Sequence, residues 1–203
     1  MATTKKLPEI LTEEERTAIL NVPNKRYPTG LRNKAIMYVM LDAGLRCSEV
    51  VGKEKRKYLE GGLRLNHVDW NSGKMKITNG KGGNDRFVWL NETALQAVID
   101  WLGKRPAGET DLVFTTLKGT RIENRYIGYM IKRYAKRAGI QKNVHPHTLR
   151  HTFGTDIYRE TKNLRMTQKA LGHVHISTTE IYTHIVDDEL EEGMKNFRNG
   201  GRK

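Results

Sequence analysis

The sequence predicts an α+β fold, mostly helical, with a small antiparallel β-sheet or hairpin. Three observations lead there. Apolar residues recur at helical spacing in several separate stretches. Two short runs, Lys74–Thr78 and Phe87–Leu90, flank the glycine-rich segment Asn79-Gly80-Lys81-Gly82-Gly83-Asn84-Asp85, which is a hairpin pattern. The 203 residues contain no internal repeat and no linker, and they suffice for one well-filled core.

In chain order, residues 1–9 read as a flexible leader and 10–203 as a single domain. Thr12-Glu13-Glu14-Glu15 fits a capping box and predicts a short helix to about Asn21. Pro23 and Pro28 flank a loop. A second helix, about Leu31 to Ala43, carries Ala35, Ile36, Val39 and Met40 at helical spacing, and Gly44 stops it. Residues 51–62 are basic, end in glycines and read as a loop or insertion. In the hairpin, Met75 and Ile77 share one face. Asn91 caps a helix to about Leu102. The next helix, about 122–138, has the stripe Ile127, Met130, Ile131, Tyr134 and Ala135; its other face carries Arg125, Lys132, Arg133, Lys136 and Arg137. That face is either a solvated surface or a surface for DNA. Pro146 opens a helix over about 147–160, and helices near 164–171 and 177–184 follow. Ser177-Thr178-Thr179-Glu180 supplies a capping box for the latter. The last helix, about 187–198, sets the apolar stripe Leu190, Met194 and Phe197 beside Asp187, Asp188, Glu189, Glu191 and Glu192. Acids in a first turn suit the helix dipole.

The charge balance narrows the partner. Lys and Arg number 36 against 23 Asp and Glu, a formal net charge of +13 at pH 7. Such an excess fits a polyanion such as nucleic acid, or simply solubility. No apolar run approaches the ~20 residues needed to span a bilayer, and no secretory signal opens the chain. Cys47, the single cysteine, excludes an intrachain disulfide framework and suits a reducing cytoplasm.

Several side chains sit where chemistry could use them. His147 and Arg150 are three apart and share a helix face, with Gly154 leaving room beside them. Arginine offers phosphate a rigid fork of donors, although such a pair also describes an ordinary helix-surface contact. Arg46 follows Gly44 at a helix junction with Glu49 placed to brace it; a surface salt bridge would look the same. Lys81 lies among glycines, free to reach into a groove or to sit in a polar turn. His145, His151 and His175 are left over, with His151 read as turned into the core. Cys47 reads as a packed thiol. No carboxylate cage for Mg²⁺ stands out, so neither metal nor cofactor is expected.

The conjunction is more specific than its parts. The chain contains, in order, DAGLRCSEV (42–50), NGKGGNDR (79–86), HPHTLRHTFGTDIY (145–158), LGH (171–173) and STTEIYTH (177–184). This closely resembles the tyrosine recombinase (phage-integrase-like) family, over about residues 10 to 198. The resemblance implies that Arg46 and Arg150 hold a scissile phosphate, and that Lys81 is the hairpin lysine. It implies that His147 and His173 fill the two histidine positions, that Tyr182 is the nucleophile, and that Glu49 supports the first arginine. The expected activity is site-specific cleavage and rejoining of DNA through a 3′-phosphotyrosyl intermediate, in integration, excision or inversion. Strand relaxation of the type IB topoisomerase kind, or a catalytically silent DNA-binding regulator, are the rival readings. Further DNA contacts are expected from Arg86, Arg125, Lys132, Arg133 and Lys136. Expected partners are double-stranded recombination sites, an accessory DNA-bending protein, and three further copies of the chain joined through helix 187–198. The expected setting is a prokaryotic nucleoid. Two departures from the family pattern stand out: Asn84 takes the place of a second basic hairpin residue, and the residues before 10 are too few for the family's usual N-terminal core-binding domain, as expected of an excised catalytic domain or of a short stand-alone member.

Overall fold

The computed structural model describes residues 7–55, 58–78, 85–108 and 110–197. Its helices are α1 (Glu13–Asn21), α2 (Pro28–Asp42), α3 (Cys47–Val51), α4 (Glu92–Leu102), α5 (Asn124–Arg137), α6 (Pro146–Thr161), α7 (Leu164–Leu171) and α8 (Ile181–Phe197). Two antiparallel hairpins, β1 (Lys53–Lys55) with β2 (Tyr58–Glu60) and β3 (Lys74–Ile77) with β4 (Arg86–Trp89), complete the α+β fold.

Helix α2 is the centre. Ala35, Ile36, Met37, Val39 and Met40 are all fully buried, so α2 is covered on every side, by α1, α3, α4 and α6. Thr12 closes the expected capping box on α1. Its Oγ1 accepts from the Glu15 N–H at 3.2 Å, and Glu15 Oε2 accepts from the Thr12 N–H at 2.9 Å. Asn91 caps α4 by accepting from the Ala94 N–H at 2.8 Å. On α5 the expected stripe is buried, and Arg125, Lys132, Arg133, Lys136 and Arg137 face solvent.

Four expectations need correction. Within 51–62, expected as a loop, Val51 ends α3 and two short strands pair, with Lys53 opposite Glu60 and Lys55 opposite Tyr58. These strands are mostly charged, so no apolar alternation marked them; Leu59 packs over Gly52. The two helices expected at 177–184 and 187–198 are one, α8, because nothing between Tyr182 and Asp187 breaks a helix. The acids from Asp187 to Glu192 therefore lie in mid-helix, and the first-turn dipole argument does not apply to them. A 3₁₀ turn, Ile176–Thr178, stands where the second capping box was expected. Finally, residues 7–9 are not loose. Glu9 Oε2 accepts from the Asn143 N–H at 3.2 Å, and Leu7 and Ile10 pack on a small cluster formed by Leu171, Tyr182 and Ile185. Residues 1–6 of the expected leader lie outside the described residues.

Candidate active site

Four chain segments meet at one carboxylate. Gly44 ends the α2 segment with φ +61° and turns the chain so that Arg46 becomes the N-cap of α3. Glu49, on the first turn of α3, accepts from the Arg46 N–H at 2.7 Å and from Arg46 Nη1 at 2.8 Å. Arg86, the first residue of β4, grips the same carboxylate with both nitrogens, at 2.8 and 2.9 Å, while its Nε donates to the Ala170 carbonyl at 2.9 Å. From α6, Arg150 brings Nη1 to 3.8 Å from Glu49. Arg150 also donates to the carbonyl oxygens of Gly44 and Leu171. Arg46 Nη2 reaches the Gly172 carbonyl at 3.4 Å.

Three guanidinium groups around one carboxylate leave an excess of positive charge. Burial pushes the Glu49 carboxyl up, but the Arg86 hydrogen bonds and charge, then Arg150, outweigh it and hold the group at about 2. For Arg150, burial and then the Arg46 charge weigh against the cation, with Glu49 opposing them. An incoming anion supplies what this cluster lacks.

The histidines and the tyrosine line the neighbouring side. His147 and His151 share a face of α6, with ring centroids 6.4 Å apart. His173 follows α7 after Gly172; its Nδ1 is 3.0 Å from Thr179 Oγ1, and its ring stacks on Tyr182 at 6.5 Å. Tyr182, in the first turn of α8, is 0% exposed. Its ring rests on Gly154, where a Cβ would lie 2.5 Å from Cζ, and its hydroxyl is 3.2 Å from His151 Nδ1. Burial pushes the phenol up to about 12, against the pull of Arg150 and Arg46. Burial first, then neighbouring cations and histidines, holds His151 and His173 down to about 4 and lowers His147 as well. The imidazoles of His151 and His173 are therefore neutral at neutral pH. The Cys47 thiol is pushed up to about 11 by burial, in keeping with a packed side chain.

The structure thus brings together Arg46, Glu49, His147, Arg150, His173 and Tyr182. Lys81 and Asn84 lie outside the described residues. Arg125, Lys132, Arg133 and Lys136 share the exposed face of α5, Arg125 pairing with Glu123 at 2.6 Å. Arg86 requires correction. It is 7% exposed, and its guanidinium is engaged with Glu49 and the Ala170 carbonyl rather than turned out to an exposed basic surface. The signal was present in β4, where Arg86 and Val88 alternate inward while Phe87 and Trp89 point out. Sequence reasoning also missed the contact of His151 with Tyr182. Among the described residues, no group of three His, Cys, Asp or Glu is placed to hold a metal ion, and no helix is long and apolar enough to cross a membrane.

Gly44 offers a direct check on this construction. A Cβ there would lie 2.3 Å from the Phe153 ring, at a φ that L-residues avoid. Gly44→Ala is expected to cost about 2–4 kcal/mol from the left-handed backbone and the overpacking together. Urea unfolding should show a lower midpoint with an unchanged slope. Wild-type stability would mean that residue 44 does not hold this turn.

Comparison with known proteins agrees with the geometry. The model of the phage integrase family matches residues 9–189. The tyrosine recombinase XerD of Ralstonia nicotianae is 37% identical over 193 residues, 91% of this chain and 58% of the relative. The chain therefore spans about three fifths of that relative's length. The crystal structure of XerA recombinase superposes with a TM-score of 0.79 at 30% identity, covering 98% of this chain and 68% of that one. The XerH site-specific recombinase bound to its palindromic difH substrate gives 0.75 at 27% identity, covering 95% and 54%. On these matches, the chain belongs to the phage integrase family and carries the catalytic-domain fold of tyrosine recombinases.

Proposed function

We propose that this chain cleaves and rejoins DNA as a site-specific recombinase, through a 3′-phosphotyrosyl intermediate. The observation that carries the reading is the cation cluster of Arg46, Arg86 and Arg150 on one carboxylate, with a tyrosine hydroxyl beside it. Arg46 and Arg150 hold the non-bridging oxygens of the scissile phosphate, and His147 and His173 add donors as charge develops there. Tyr182 attacks phosphorus. Lys81, in the loop between β3 and β4, protonates the departing 5′ oxygen. Glu49 fixes Arg46, and Arg86 fixes Glu49. The ester energy is kept in the phosphotyrosyl bond, so rejoining needs no external energy source. Tyr182 must leave its cradle to meet the phosphate. In support, its cluster with Leu171 and Ile185 is separate from the main core, so Tyr182 can move without opening that core. The exposed face of α5 (Arg125, Lys132, Arg133 and Lys136) is the proposed seat for the phosphate backbone.

A nicked suicide duplex, carrying a site selected by binding from random DNA, tests this. A covalent 3′ adduct mapping to Tyr182, with strand exchange between two duplexes, is expected. Relaxation alone would point to topoisomerase-like action, and binding without an adduct to a regulator.

Assembly is proposed to run through the end of α8. Leu190 and Met194 are 61% and 67% exposed, which suits a helix that docks on a second copy. A groove lined by Trp89, Phe153, Ile157, Met166 and Val174 offers an apolar seat. Ending the chain after Val186 should leave single-site binding intact and abolish tetramers on DNA in native gels. Tetramers formed by the shortened chain would refute this route. An accessory DNA-bending protein and a nucleoid setting remain part of the same proposal.

A further inference from the structure

We infer that His151 takes the Tyr182 hydroxyl proton during cleavage and returns it during rejoining. This rests on the strand-transfer reading above.

A proton acceptor for Tyr182 must lie within hydrogen-bond reach of its hydroxyl. His151 Nδ1 lies 3.2 Å from the hydroxyl oxygen. The nearby arginines, Arg46 and Arg150, can only donate. His173 has its Nδ1 turned to Thr179. Among the described residues, His151 is therefore the base in hydrogen-bond reach of the nucleophile. The role requires one tautomer of the neutral ring, with its proton on Nε2 and the Nδ1 lone pair facing the hydroxyl.

Placement favours the role. His151 adjoins Arg150 on α6, a helix packed against α2, so the base stays beside the phosphate seat when α8 moves. It is half-buried, which leaves the acquired proton a way to solvent. The groups facing it are His145, His147 and Arg150 from α6 and its cap, His173 from the segment after α7, and Tyr182 from α8. Burial first, and then His147, Arg150 and His145, hold the free imidazole down to about 4. A phosphodiester anion seated on Arg46 and Arg150 offsets part of that positive field. His151 therefore becomes a stronger base when substrate is bound, and the proton transfer is tied to a filled site.

The step balances. The bond from the Tyr182 oxygen to phosphorus forms as its proton moves to Nδ1. The bond from phosphorus to the 5′ oxygen breaks with its electron pair on that oxygen, which takes a proton from the acid assigned to Lys81. In rejoining, the 5′ hydroxyl attacks, the phosphotyrosyl bond breaks, and Nδ1–H restores the phenol.

His151→Asn and His151→Gln keep a hydrogen-bonding amide and cannot carry a proton. Adduct formation on the nicked duplex is measured against pH, beside single-site affinity and the unfolding midpoint. Both variants are expected to bind and fold like the wild type, with adduct formation slowed about 100-fold or more. The wild-type rate should rise through one ionisation and level off, whereas the variants should climb steadily with pH. Wild-type rate and profile in a folded variant would overturn the role of His151 alone, as would a rate loss matched by lost affinity. No adduct from the wild-type protein would overturn the strand-transfer reading instead.

Discussion

Tyr182→Phe abolishes covalent capture of DNA and leaves DNA affinity essentially unchanged. The substitution removes one oxygen and no charge, and the cation cluster of Arg46, Arg86, Arg150 and Glu49 does not depend on it. The ring keeps its bed on Gly154 and its place beside Leu171 and Ile185. The lost hydrogen bond to His151 costs at most about 0.5–1.5 kcal/mol, offset because the buried hydroxyl no longer has to be desolvated. An SDS-resistant complex on the nicked duplex, read beside a gel shift, checks this. An adduct forming in the variant at the wild-type rate would remove Tyr182 from the reaction.

The largest effect on the fold is expected at Glu49. In Glu49→Ala the Arg86 and Arg150 side chains, 7% and 4% exposed, lose their carboxylate and stay buried. Stranding a charge in this way costs about 3–5 kcal/mol, a large share of a domain's stability. Arg46 loses its brace as well, so adduct formation should fall together with stability. The pH dependence gives an independent reading. The folded carboxyl sits at about 2 against an ordinary 4.5, so this contribution is present above pH 4.5 and disappears as pH falls through 2. The shift corresponds to about 3 kcal/mol at neutral pH. Urea unfolding of wild type and Glu49→Ala should therefore differ strongly at pH 7 and much less at pH 3. A constant gap would show that the carboxylate is not what stabilises the cluster.

The legible part of this chain is the part written in a helical period. The α5 stripe from Ile127 to Ala135 and the Thr12 box before α1 appear where the pattern put them. The candidate site was legible through the ordered motifs that carry the family resemblance, and Arg46, Glu49, His147, Arg150, His173 and Tyr182 do meet in one place. What escaped depends on tertiary contact. Nothing near Arg86 in sequence shows that its partner is Glu49, 37 residues away, and a basic residue beside a glycine-rich loop reads as a DNA contact. His151 was turned to the core by helix geometry, but the same side of α6 receives α8. The β1–β2 hairpin escaped because charged strands leave no hydrophobic trace.

The arginines of the site lean on main-chain oxygens at two helix ends, those of Gly44 after α2 and of Leu171 and Gly172 at the end of α7. Main-chain oxygens survive every substitution, so side-chain chemistry at these positions is nearly irrelevant to anchoring. Backbone shape is not. Gly44 and Gly172 hold φ +61° and +64°, and a Cβ on Gly172 would press on Arg86 at 2.9 Å. A saturation mutagenesis scan of these two turns should therefore be intolerant at the two glycines even where the substituted side chain is as small as alanine's. In divergent copies of such a domain the path of the chain beneath the arginines should therefore stay fixed, whatever side chains the neighbouring positions carry.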